Sequence, residues 1–119
     1  MRLLLVATIA LTAVTAGCVP SVSPPSSAHT PGCDDPNVEA LIRAKFGEQA
    51  DHAVHIAIRE SHCDPAAYNK SGASGVFQLL GHGDLLAVVC LDADPFWAEC
   101  NIDAAYLLWQ SSGWQPWGG

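Results

Sequence analysis

Two segments in the middle of the chain repeat apolar residues every three or four positions, the period of a helix with one face turned inward. Val38, Leu41, Ile42 and Phe46 make the first stripe. Asp35-Pro36 precedes it, a capping side chain followed by proline at the first helical position, and Gly47 closes it. A second helix is expected over roughly 48–61, with Ala50, Ala53, Val54, Ala57 and Ile58 facing inward. His52, His55, Arg59 and His62 gather on its other side.

The pattern changes after Asp64-Pro65. Glycines, serines and an asparagine crowd into AAYNKSGASGVFQLL, a composition for turns, and Val76-Phe77 is expected to open a short strand or a buried helical turn. Gly75 would let the backbone approach a ligand closely, and Gln78 offers both a donor and an acceptor. Asp84 is placed to cap a short apolar helix, LLAVVCL, and Asp94-Pro95 breaks the chain again. The last helix is expected to have Asn101 as its cap and Asp103 in its first turn. Ile102, Ala105, Tyr106 and Trp109 then share one face, and Gly113 is the stop. The fold class that follows is mostly α.

Length bounds the rest. The chain has 119 residues, and the first 18 read as a secretory signal: Arg2, an apolar run from Leu3 to Ala13, then small residues before Cys18. That run is too short for a spanning helix. Thr15-Ala16-Gly17-Cys18 resembles a bacterial lipoprotein box, in which Cys18 would be acylated and anchor the chain to a membrane. Thr15 stands where that box usually has Leu, so free secretion after ordinary cleavage is the alternative. Residues 19–32 are rich in Pro and Ser and read as an extended tether. At about 3.1 Å per residue its reach is on the order of 40 Å. The chain is expected to be exported to the cell envelope.

Residues 33–119 are then the folded domain, small enough to need covalent staples. Cys33, Cys63, Cys90 and Cys100 allow three pairings in an oxidising compartment. We favour Cys90–Cys100, which closes a short surface loop, with Cys33–Cys63 tying down the first helices. All twelve acidic residues but only four of the five basic ones fall in this domain, so it would repel nucleic acid. It also has no glycine-rich phosphate loop. His52 and His55 share helical i, i+3 spacing, yet no carboxylate or thiol completes a metal set, so neither metal nor cofactor is expected.

Glu60 is the residue that invites a chemical reading. It falls on the shoulder of the second helix's stripe, beside Ala53 and Ala57, and one turn after Ile56. A carboxyl there is half shielded by apolar groups and close to the helix's negative end. Both favour the protonated form that a general acid needs near neutral pH. A solvated surface glutamate is the plain alternative.

Three motifs follow one another in order: Ala57-Ile58-Arg59-Glu60-Ser61, Gly75-Val76-Phe77-Gln78, and Asn101-Ile102-Asp103-Ala104-Ala105. With the closing Gly113-Trp114 and Pro116-Trp117, they resemble the lysozyme-like soluble lytic transglycosylase family, over about residues 36–118. The resemblance implies a small lysozyme-like helical domain with a cleft for peptidoglycan glycan strands, acting as a monomer. It implies that Glu60 protonates the glycosidic oxygen between N-acetylmuramic acid and N-acetylglucosamine. The resulting carboxylate then takes the proton of the sugar's six-position hydroxyl, giving a 1,6-anhydro product. It also implies that Ser61, Gly75 and Gln78 line the cleft, with Tyr68, Asn69, Phe77 and Tyr106 as further wall residues. Trp114 and Trp117 are either a lid over the core or a platform for sugar rings.

Glycosidases ordinarily flank the bond with two carboxylates. No second carboxylate is marked by a motif, and Asp84 is the choice if the reaction is hydrolysis, as in a muramidase. A non-catalytic peptidoglycan-binding module on the same fold is the other alternative.

Overall fold

The structure is a computed structural model, and it describes residues 32–119. The signal segment, the acylation site at Cys18 and all of the tether except Gly32 lie outside the described residues.

The domain is mostly helical, with four α-helices and no β-strand among the described residues. Helix α1 spans Pro36–Phe46, capped by the Asp35 side chain, which accepts from Asn37 N at 2.8 Å. Gly47 ends it with φ +54°, and a 3-10 turn, Gly47–Gln49, leads into α2, Ala50–Ser61. The short α3 spans Gly83–Val89 and α4 spans Ala98–Ser112, followed by a 3-10 turn at Gln115–Trp117. Helix α1 packs on both α2 and α4, while α3 leans on α4.

The core forms where the inward faces meet. Val38, Ile42 and Phe46 come from α1, and Ala53, Val54 and Ala57 from α2. Ile102, Ala105 and Leu108 come from α4. Phe46 is the hub of an aromatic cluster, with ring centroids 5.4–5.6 Å from Tyr106, Phe77 and Trp114. The apolar face of α2 is wider than the expected stripe, because Ile56 is only 1 % exposed. The shoulder on which Glu60 sits is therefore itself part of the core surface.

Two of the expected caps are corrected. Asp84 is the second residue of α3, and His82 occupies the cap position. Helix α4 begins a turn before Asn101, with Trp97 at its cap. Asn101 is wholly buried inside that helix and spends its side chain on the turn containing Phe77. Asparagine reads as a cap because its amide mimics backbone groups. Here it uses that mimicry across the fold instead of along the helix.

Both disulfides have the favoured pairing, with Cα separations of 5.3 Å for Cys33–Cys63 and 5.8 Å for Cys90–Cys100. Loop closure alone assigns about 3.6 kcal/mol to the first and about 2.7 kcal/mol to the second. Urea denaturation of the Cys90→Ser/Cys100→Ser variant is expected to show the smaller loss, and that of Cys33→Ser/Cys63→Ser the larger.

The segment around Cys33 is also tied electrostatically. Glu39 Oε1 accepts from Cys33 N at 2.8 Å, and Oε2 from Arg43 Nε at 3.1 Å. The Cys33 N–H first, and Arg43 second, hold the Glu39 carboxyl below its ordinary value. A depressed carboxylate contributes stability that is present above its unfolded pKa and lost as pH falls through the folded one. Stability is therefore expected to fall below about pH 4.3, and Glu39→Gln to flatten that fall in acid titrations of the melting temperature.

Candidate functional site

The last turn of α2 carries Glu60, and the chain leaves the helix in an unusual way. His62 and Cys63 both have positive φ, 56° and 66°, a conformation that glycine ordinarily supplies. Their N–H groups satisfy the Ile58 and Ala57 carbonyls at 2.9 and 3.2 Å. The Cys33–Cys63 bond then fixes the exit. Glu60 is thus held on a rigid helix end, with its side chain 27 % exposed and Oε1 3.2 Å from Arg59 Nη2. Arg59 belongs both to the polar face of α2 and to the first motif. It also donates to the Trp117 carbonyl, so one guanidinium joins the carboxylate to the C-terminal turn.

Ser61 is buried, and its hydroxyl donates to the Val76 carbonyl at 2.6 Å. That bond fastens the end of α2 to the turn 75–78. The turn is framed by Ser74 and Leu79, which exchange both backbone hydrogen bonds at 3.0–3.1 Å. Asn101 pins it from the other side. Its Oδ1 accepts from Phe77 N at 2.8 Å, and its Nδ2 donates to the Ser74 and Pro95 carbonyls at 3.0 and 2.9 Å. Trp117 Nε1 completes the set by donating to the Phe77 carbonyl at 2.9 Å. The motifs that are far apart in sequence are therefore bolted together through one turn.

Several residues expected to line a cleft are part of this scaffold. Gly75 has φ +78°, and the close approach it permits is to its own chain: a Cβ there would overlap Asn101 Nδ2 and the Pro95 carbonyl. Phe77 is wholly buried, packed between Phe46 and Trp117. Trp117 is buried as a lid, and half-buried Trp114 lies on Phe46 with its indole donating to Gln49 Oε1 at 3.4 Å. His52 covers Trp114, with ring centroids 4.6 Å apart. Of the two readings of the tryptophans, the geometry favours the lid.

Gln78 differs from these. It is half-exposed with φ +50°, a strained conformation for a residue with a side chain. Its Nε2 donates to the Ala67 and Gly75 carbonyls at 3.1 and 2.9 Å, which leaves Oε1 as its acceptor toward the surface. Gln78 and Trp117 line a depression of about 270 Å³ with Leu79, Leu80, His82, Leu108 and Pro116. Glu60 is not among those lining residues. It is linked to the depression through Arg59 and the Trp117 carbonyl.

The remaining expected residues lie apart. Tyr68 is 66 % exposed, with its ring 6.4 Å from that of Phe96. Asn69 is exposed and accepts from Ser71 N within its own turn. Tyr106 sits on the seam of α1 and α4 with the Lys45 ammonium 5.1 Å over its ring. Asp84 is exposed on α3.

Asn101 and Arg59 are the two residues whose roles the sequence reading missed. Asn101 had a usable signal: with Ala105 and Leu108 it falls at i, i+4 and i+7 on the buried face of α4, where a cap has no place. Arg59 had none, because its partner carbonyl lies 58 residues away in the chain. Comparison with protein-family models, with curated proteins and with solved structures finds no match to this chain.

Proposed function

We propose that the chain cleaves peptidoglycan glycan strands between N-acetylmuramic acid and N-acetylglucosamine, with Glu60 as the single general acid and base on a lysozyme-like domain. The observation that carries this reading is the junction of the motifs. A half-exposed carboxylate ends a rigid helix, and the next residue is hydrogen-bonded to the turn that presents Gln78.

In the proposed reaction the protonated Glu60 gives its proton to the glycosidic oxygen as the bond to the muramic acid anomeric carbon breaks. The six-position hydroxyl of the same sugar closes on that carbon, and Glu60 takes the hydroxyl proton back. The carboxyl ends as it began, no water is consumed, and the released chain carries a 1,6-anhydro end. Export of the chain, with or without acylation at Cys18, would bring the domain to its polymer.

A non-catalytic binding module is the second reading, and the absence of Glu60 from the depression's lining favours it. Mass spectrometry of the soluble products from purified sacculi separates the readings. Transglycosylation gives muropeptides lighter by one water than those of hydrolysis. Sedimentation of the domain with sacculi, with nothing released, would replace the enzyme by the module.

A further inference from the structure

Among the described residues, four of the six large apolar side chains that stand well out into solvent fall within ten residues: Val88, Leu91, Phe96 and Trp97. They lie at 75, 106, 42 and 61 % exposure on the end of α3 and the loop that enters α4. Such clustering marks an interaction surface, whereas single exposed apolar residues are ordinary. Leu91 and Trp97 border a depression of about 390 Å³ whose wall includes the Cys90–Cys100 disulfide. The disulfide closes the loop on itself, so the apolar groups are displayed on a braced segment.

The rim decides what can dock there. Asp92, Asp94 and Glu99 also line the depression, with no basic side chain among its residues. Among the described residues none of the three carboxylates has a cation within ion-pair distance; Asp103, the fourth carboxylate of the wall, is paired with Lys45 at 3.3 Å. A depression lined by exposed Leu91 and Trp97 together with three unpaired carboxylates repels anionic lipid headgroups. It equally repels a second copy of this acidic chain, whose formal net charge is −7. It attracts a segment that offers both apolar side chains and ammonium or guanidinium groups, with the Trp97 indole able to receive a cation on its face.

We propose that residues 88–99 are a docking surface for a basic amphipathic segment of a partner protein. Leu91 and Trp97 are the anchors, and Asp92, Asp94 and Glu99 fix the orientation. This proposal does not depend on the proposed activity of Glu60.

The test uses the isotope-labelled full chain with both disulfides formed and a blocked hexapeptide of sequence LKKLLK, titrated by NMR at low and high salt. Shifts confined to residues 88–103, with affinity falling as salt rises, are expected. Trp97→Ala is expected to weaken binding at least tenfold. Leu91→Ser, at a fully exposed side chain, should weaken it without touching the core. The Asp92→Asn/Asp94→Asn/Glu99→Gln variant is expected to lose most of the salt dependence. Shifts spread evenly over the acidic surface, or affinity unchanged in Trp97→Ala and Leu91→Ser, would overturn the proposal. So would Trp97-dependent binding to phosphatidylglycerol vesicles, or a dimer that Leu91→Ser dissolves.

Discussion

Asn101→Ala is expected to destabilise the domain by about 3 kcal/mol or more. Three terms add. The N–H of wholly buried Phe77 loses its acceptor, and the Ser74 and Pro95 carbonyls lose their donor. The side chain is 0 % exposed, so truncation also leaves a void between α4 and the turn. Against a total of about 5–15 kcal/mol for a domain, that is enough to populate unfolded chain at physiological temperature. Asn101→Asp keeps the acceptor and the volume, yet it removes both donated bonds and buries a charge beside two carbonyls; a comparable loss is expected. Urea denaturation followed by tryptophan fluorescence measures both. A loss below about 1 kcal/mol in Asn101→Ala would mean that the turn is held by Ser61 and Trp117 alone.

Under the proposed mechanism Glu60→Gln is expected to remove activity by about a thousandfold or more, because one group would both donate and recover the proton and each role contributes on the order of 100-fold or more. The change preserves size. It breaks only a half-exposed pair with Arg59, whose worth is about 1 kcal/mol at most. The fold should therefore survive, and a loss of turnover then reads as lost chemistry. Asp84→Asn is the companion variant. Under the proposed mechanism it leaves turnover unchanged, and a large loss there would instead place a second carboxylate in a hydrolytic reaction.

The parts of the fold that were legible in the sequence are those determined locally. Asp35, Pro36 and Gly47 bound α1 because capping and backbone freedom are properties of a few neighbouring residues. The stripes of α1 and α2 announced those helices' share of the core, apart from Ile56, for the same reason. Ile56 escaped because burial on a second side of α2 depends on what packs there, which periodicity cannot report. The start of α4 escaped because Asn101 sends its amide to carbonyls 27 and 6 residues away. At the candidate site, the order of the motifs was legible, whereas their division of labour was not. Gly75, Phe77 and Ser61 face inward and hold the turn. Glu60 and Gln78 instead keep a polar group toward the surface, as does Arg59 beside them.

The role proposed for Glu60 is tested by comparing the wild-type chain with Glu60→Gln on purified peptidoglycan sacculi, with circular dichroism run on both. Soluble anhydro-ended muropeptides are expected from the wild type, with none above background from the variant and superimposable spectra. Equal release by a folded Glu60→Gln variant would contradict that role.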